Sequence, residues 1–166
     1  MKQLLTSYTR YEKWANQQLL DVVLTLSAEQ QEQEIASSFS SIRKTCLHVW
    51  DASAIWWQRL QQTDAIHIPS KQAYTSMKEI TEGLLRQNDQ WIQWIEHSTD
   101  AALEHNLAFK TMKGDPFVQP VKDIVLHLNN HGTYHRGQLV TLLRQAGVEQ
   151  LPQTDFILYA RLVKTT

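Results

Sequence analysis

Apolar residues recur at intervals of three and four along four long stretches of the chain. This spacing places them on one face of an α-helix. The stretches run from about Leu4 to Leu26, from about Ser40 to Gln61, from about Ser76 to His97 and from about Val121 to Gly147. The pattern therefore predicts four long helices.

Residues that interrupt helices separate these stretches. Ser27 is a breaker or a cap after the first helix, and the segment TDAIHIPS, which carries Pro69, ends the second. Pro120 precedes the fourth helix and Gly147 follows it, which is the usual asymmetry of helix ends. The apolar side of the first helix, which we expect to face the core, consists of Leu4, Tyr8, Tyr11, Ala15, Leu19, Val22 and Val23.

The stretch from Ser98 to Pro120 has no helical period. Within it, LAFKTMKGDPFVQP alternates around a Gly114-Asp115-Pro116 turn signal, which is compatible with a small hairpin. The tail segment DFILYARLV predicts a short C-terminal helix. The fold class is all-α: a four-helix bundle with a short last helix and a small hairpin before the fourth long helix. An up-and-down arrangement fits, although some connections are too long for simple helical hairpins.

Composition narrows this picture. A chain of 166 residues with 42% hydrophobic residues and few glycines and prolines is expected to form one domain over residues 1–166. The net charge is −1 without a basic run, so we expect no nucleic-acid partner. The N-terminus has too short an apolar run for a signal peptide or a membrane span, which favours the cytoplasm and no membrane. The single Cys46 is typical of a small buried residue, with a minor ligand role left open.

The fourth helix carries His127, His131 and His135 at intervals of four residues. His131 and His135 share the side we expect to face the core, together with Gln138. Two histidines at this spacing can chelate a metal ion from one helix, whereas the plainer alternative is a core pair bonded to backbone or water. His127 is eight residues, or about 12 Å, from His135, so all three can hardly bind one ion.

A third ligand is expected from a neighbouring helix. His48, in RKTCLHVWDASAIWWQRL, is the remaining histidine inside a helical interior, and its face includes Ala52 and Ile55. Three histidine ligands leave a position for water or substrate, as in catalytic sites. A solvated role is favoured for the other histidines, which are His67, His97 and His105.

Other polar residues surround these histidines. Asp51, one turn after His48, has the spacing to orient an imidazole or act as a base, although a surface salt bridge is the commoner role. Gln138 is the best candidate to hold a ligand in place, and Arg136, on another side of the helix, favours an interhelical or intersubunit ion pair. Core or dimer-interface packing is favoured over substrate stacking for Trp50, Trp56 and Trp57.

The segments HVWDASAIWWQRL and LHLNNHGTYHRGQLVTLLRQAG, followed by LPQTDFILYARL, resemble the DinB family of the DinB/YfiT-like superfamily along essentially the whole chain. The resemblance implies a four-helix bundle of up-down-down-up or related order, usually a homodimer. It also implies one divalent metal, nickel or zinc first, held by His48, His131 and His135. His127 matches a position that is often histidine without being a usual ligand.

The superfamily includes thiol-dependent S-transferases and isomerases, so the resemblance implies a metal-dependent enzyme of stress or detoxification. In such a reaction the metal-bound thiolate of a low-molecular-weight thiol would attack an electrophilic small-molecule substrate. A metal-dependent hydrolase and a non-catalytic metal-binding module are the alternatives, and a metal-free helical dimerisation protein is a weaker one. Catalytic residues are not assigned, no organic cofactor site is expected, and three imidazoles do not identify the metal.

Overall fold

The computed structural model describes residues 1–73 and 76–164, and in these it confirms the all-α prediction. The four long helices, the hairpin and the short C-terminal helix all lie where the sequence places them, and two helices of five residues are additional. The elements are α1 (Lys2–Thr25), α2 (Ala28–Glu32), α3 (Ile42–Leu60), a 3-10 turn (Pro69–Lys71), α4 (Met77–His97), α5 (Asp100–Glu104), β1 (Asn106–Lys110), β2 (Pro116–Pro120), α6 (Val121–Gln145) and α7 (Phe156–Lys164).

The two short helices begin at side-chain caps. Ser27 accepts a hydrogen bond from the backbone of Gln30, whose side chain accepts one from the Ser27 backbone in return. Thr99 caps α5 through the backbone N–H of Ala102. Five residues make little more than one turn, which is too short for a hydrophobic period to reveal from sequence.

The hairpin pairs β1 and β2 antiparallel and leads directly into α6. Asn106 lies opposite Pro120, and Lys110 lies opposite Pro116. In the turn, Gly114 has a φ of +94°, a left-handed conformation that glycine adopts without steric cost. Leu107 is the buried residue of the sheet and joins the apolar cluster around Trp91. The hairpin thereby fixes where α6 starts.

The long helices run up, down, down, up. Helices α1 and α6 are parallel, because Thr9 meets Asn129 and Asn16 meets Arg136 further along both. Helix α4 is antiparallel to α1, and α3 is antiparallel to α6. The contacts Arg10–Glu96 and Asn16–Asn88 show the direction of α4 relative to α1. The contacts His48–His131 and Trp56–His127 show the direction of α3 relative to α6.

This order is the one implied by the family resemblance, and an alternating up-and-down order is wrong. Because α3 and α4 are parallel neighbours, the chain between them must return along the bundle. The 3-10 turn of that connection packs on α3, where Asp51 accepts a hydrogen bond from the Ser70 backbone at 2.8 Å. No helix in the described part of the chain is both long and apolar enough to span a membrane.

The core consists of two apolar clusters. One is built around Leu19, Trp50, Ile80 and Leu142, and the other around Leu5, Trp91, Ile95, Val121 and Val125. The predicted inward side of α1 is shifted at its start, since Leu4 is 59% exposed and Leu5 is fully buried.

A buried polar layer lies between the two clusters. Its centre is an ion pair between Glu12 of α1 and Arg136 of α6, each about 5% exposed. Arg136 also donates to Asn16 Oδ1 at 3.2 Å and lies over the Tyr11 ring. The predicted interhelical ion pair of Arg136 is therefore confirmed, whereas its expected position away from the inward side is wrong.

Gly132 allows this ion pair to form. A Cβ atom at residue 132 would lie 1.7 Å from Oε1 of Glu12, so any side chain there would occupy the space of the carboxylate. Gly137, five residues later on the same helix, has nothing within 4 Å of the position that a Cβ atom would take. The two glycines of α6 thus differ in what a methyl group would meet.

We expect Gly132→Ala to lower the free energy of unfolding by about 3 kcal/mol, because it displaces a carboxylate from a buried ion pair. Gly137→Ala is the matched control and should raise it by about 0.5–1 kcal/mol, since alanine favours the helix. Urea denaturation followed by circular dichroism measures both. Equal effects of the two substitutions would contradict this packing.

Candidate metal centre

The three histidines predicted as ligands lie together between α3 and α6. His131 Nε2 is 3.0 Å from His48 Nε2 and 3.1 Å from His135 Nε2. The ligand atoms of all three lie within 4.8 Å of one another. The antiparallel packing of α3 against α6 explains how residues far apart in sequence meet here.

This spacing suits a metal ion. Tetrahedral coordination with bonds of 2.0–2.1 Å places ligand nitrogens about 3.3 Å apart, close to the two distances found here. Neutral imidazole is a good ligand for zinc, nickel, copper and iron. The group could therefore hold one divalent metal ion.

Gln138 fixes the orientation of His135. Its Oε1 accepts a hydrogen bond from His135 Nδ1 at 2.8 Å, while its own amide donates to Ser38 Oγ at 2.9 Å. Because Nδ1 carries the proton, Nε2 presents a lone pair toward the other two histidines. The sequence-based prediction that Gln138 supports a ligand agrees with this contact.

The loop between α2 and α3 covers one side of the histidine group. The Phe39 ring stacks on His48, with centroids 4.0 Å apart and an interplanar angle of 22°. The same ring meets His135 edge-on at 5.7 Å. Neither Phe39 nor Ser38 was predicted from sequence, because the loop has no periodicity and no motif that points to the site.

Burial keeps the three imidazoles neutral. Burial and the neighbouring histidines lower the pKa of His131 to about 4. Burial is also the main cause that lowers the pKa values of His48 and His135; Asp51 acts in the opposite direction on His48, as does the Gln138 hydrogen bond on His135. At neutral pH the group therefore offers lone pairs rather than protons to a cation.

The histidines lie at the edge of the buried side of α6. Residues such as Val125, Asn129, Gly132 and Arg136 form that side and His135 belongs to it, whereas His131 is only half-buried. The predicted inward direction is therefore confirmed for His135, while His131 and Gln138 are partly exposed. One side of the site lies near the surface.

His127 lies outside the group. Its ring is 5.7 Å from the His131 ring and 6.0 Å from the Trp56 ring. It is exposed at a cleft between α3, the hairpin and α6, which Trp56, Gln119, Asp123 and Ile124 also line.

Asp51 and Cys46 do not join the histidine group. Asp51 bonds the Ser70 backbone, so it holds the connection between α3 and α4 instead of an imidazole or a surface cation. Cys46 is 2% exposed, and burial raises the pKa of its thiol to about 12, as befits a small core residue.

The remaining predicted residues also have clear positions. The other histidines are exposed. Trp50 is buried in the first apolar cluster, and Trp57, which is partly buried, packs against Trp91 of the second. Trp56 forms the wall of the cleft next to His127. The exposed histidines are His67, His97 and His105.

Comparison with known sequences shows the family. A sequence model of the DinB family matches residues 1–165. The chain belongs to the DinB family. The protein called Protein DinB from Bacillus subtilis is 32% identical over 162 residues, which cover 93% of this chain and 92% of that protein.

Solved structures of DinB-like proteins share the fold of this DinB-family chain. One from Bacillus cereus superimposes with a TM-score of 0.68 at 28% identity, covering 87% of this chain and 91% of its own. Another, from Bacillus subtilis, has a TM-score of 0.66 at 14% identity and covers 92% and 97% of the two chains. At such low identity the second shows the fold alone.

We expect His131→Ala to lose most of the bound metal, because His131 Nε2 is the atom that neighbours both other ligand nitrogens. His105→Ala is the matched control, since His105 is exposed and remote from the group. Metal content of the purified proteins, measured by plasma mass spectrometry, tests this. Equal metal content in wild type and His131→Ala would contradict the ligand assignment.

The metal-free protein should lose stability as the pH falls from about 6.5, the ordinary imidazole pKa, toward about 4, the value for folded His131. In that interval the unfolded chain binds more protons than the folded one, so protonation favours unfolding. Urea titrations in chelator at several pH values measure the slope, which should be smaller in His131→Gln. Identical slopes would show that His131 is not held neutral by the fold.

Proposed function

We propose that this DinB-family protein binds one divalent transition metal through His48, His131 and His135 and uses it in a reaction of a small molecule. The leading reaction is thiol-dependent S-transfer. The observation that supports it is the number of ligands: in the described residues the metal-binding group consists of three histidines. Closed structural sites have four protein ligands, whereas three leave room for an exchangeable one.

The surroundings of the group suit such a reaction. A bound metal of this kind supplies Lewis acidity, which favours the ionised form of a coordinated thiol or water near neutral pH. Gln138 holds His135 in the orientation that binds, and Phe39 limits access of water from one side. The chain contributes neutral ligands, so the positive charge of a metal would not be cancelled by a protein carboxylate.

The cleft beside His127 is the proposed substrate site. It has a volume of about 230 Å³ and lies one helical turn from His131 along α6. Its walls are mostly apolar and include Trp56 and Ile124, and the His127 imidazole is exposed to it. A small molecule with an apolar part fits this cleft better than a large or highly charged one.

A hydrolase remains the first alternative, because the same metal would activate water as well as a thiol. The rest of the proposal comes from the family resemblance: nickel or zinc as the metal, a role in stress or detoxification, and a cytoplasmic homodimer. Exposed apolar residues on α7, Ile157 and Val163 among them, support the dimer. A non-catalytic metal-binding module is the second alternative.

Cobalt-substituted protein distinguishes these possibilities. On titration with 2-mercaptoethanol or glutathione we expect new near-ultraviolet absorption from a cobalt–thiolate bond and a change in the visible bands, since a thiol would take the exchangeable position. The His48→Ala variant, treated in the same way, is the control for cobalt bound elsewhere. Visible bands that do not respond to thiol would contradict the transferase proposal. If the bands also fail to respond to added anions, the metal has no exchangeable position, which would favour the non-catalytic module.

A further inference from the structure

A small cavity lies between all four long helices, next to His131. Its volume is about 20 Å³. Apolar residues such as Val49, Trp91 and Val125 form part of the wall. The polar lining consists of Thr9, Glu12, Ser53, Asn88, Asn129 and His131.

The size and chemistry of the cavity suit one water molecule. A water needs roughly 10–15 Å³ of such volume and two to four polar partners, whereas cavities lined only by apolar groups stay dry. Both conditions are met here, because helices α1, α3, α4 and α6 each contribute a polar residue to the wall. The cavity is therefore a place for a structural water rather than a packing defect.

His131 needs a partner on the side away from the other histidines. Its Nε2 faces His48 and His135, which leaves Nδ1 as the protonated nitrogen when Nε2 binds a metal. In the described residues no side chain or backbone atom accepts a hydrogen bond from Nδ1 of His131, in contrast to His135 with Gln138. Metal-bound histidines almost always donate this second N–H.

Glu12 is placed to anchor that partner. Its carboxylate is buried beside Gly132, the residue that follows His131, and is held by Arg136 and by Asn16 Nδ2 at 3.4 Å. A carboxylate has about four acceptor sites, so these two contacts leave capacity for a water. Glu12 also lines the same cavity as His131.

We propose that the cavity holds one ordered water that accepts a hydrogen bond from His131 and donates to the buried polar layer at Glu12. Glu12 is then a positioning residue: it acts through the water to fix the tautomer and ring orientation of His131 for metal binding. The inference rests on the proposed metal site for its functional consequence. The water itself is a property of the polypeptide alone.

Filling the cavity tests the proposal without removing a polar group. Val125 lines the cavity, so Val125→Ile adds a methyl group that displaces the water. Val121→Ile is the matched control, because Val121 is buried one turn earlier on α6 and does not line the cavity. Glu12→Gln removes the charge, and circular dichroism with thermal melting shows whether each variant is folded.

Two measurements give the outcome. In nitrogen-15 NMR of the zinc-loaded protein we expect the Nδ1 proton of His131 to exchange slowly with solvent in wild type and Val121→Ile, and faster in Val125→Ile. In chelator competition with zinc we expect Val125→Ile and Glu12→Gln to bind about 10–100-fold more weakly than wild type. Val121→Ile should bind as wild type does.

The two proposals fail in different ways. A wild-type protein that binds no zinc overturns the metal site and with it the positioning role of Glu12. If zinc binds normally and Val125→Ile leaves both the exchange rate of the His131 Nδ1 proton and the affinity unchanged, the water-mediated link is overturned while the metal site stands. A crystal structure of the zinc form without density in the cavity would overturn it as well.

Discussion

The buried ion pair between Glu12 and Arg136 is the contact on which the arrangement of the bundle depends. Two charges removed from water are tolerated only when they face each other, so α1 and α6 have few alternative registers. A slip of α6 by one residue would separate Arg136 from Glu12 and leave a buried carboxylate without its partner. Because His131 and His135 precede Arg136 on the same helix, the constraint on α6 is also a constraint on the histidines.

This polar layer also explains why the core has two parts. Apolar side chains fill the bundle on both sides of it, and the histidine group lies where the layer approaches the surface between α3 and α6. Buried polar residues destabilise the fold when they lack hydrogen-bond partners. Here the Asn16 side chain donates a hydrogen bond to Asn88 and accepts one from Arg136. The arrangement concentrates hydrogen-bonding groups behind the site, and low dielectric surroundings strengthen their interactions.

Sequence reasoning recovered the long helices because hydrophobic period and helix-breaking residues are local signals. It failed for Arg136, because this residue can lie on the buried side of α6 only through its ion pair with Glu12, which is far away in the sequence. The three histidines that lie together were predicted from their spacing and the family resemblance. Phe39 and Glu12 were not, because one lies in a loop without pattern and the other looks like a surface residue of α1.

The helices that carry the histidines and the loop that covers them differ in how far their sequences can change without disturbing the fold. The histidines belong to helices whose neighbouring residues fill the core, so substitutions around them disturb folding. Phe39 and Ser38 belong to an irregular segment that contacts His48 through one ring and Gln138 through one hydroxyl. Surface connections of this kind tolerate exchange and insertion. The surroundings of the three histidines can thus change through that segment while the helices that carry them stay the same.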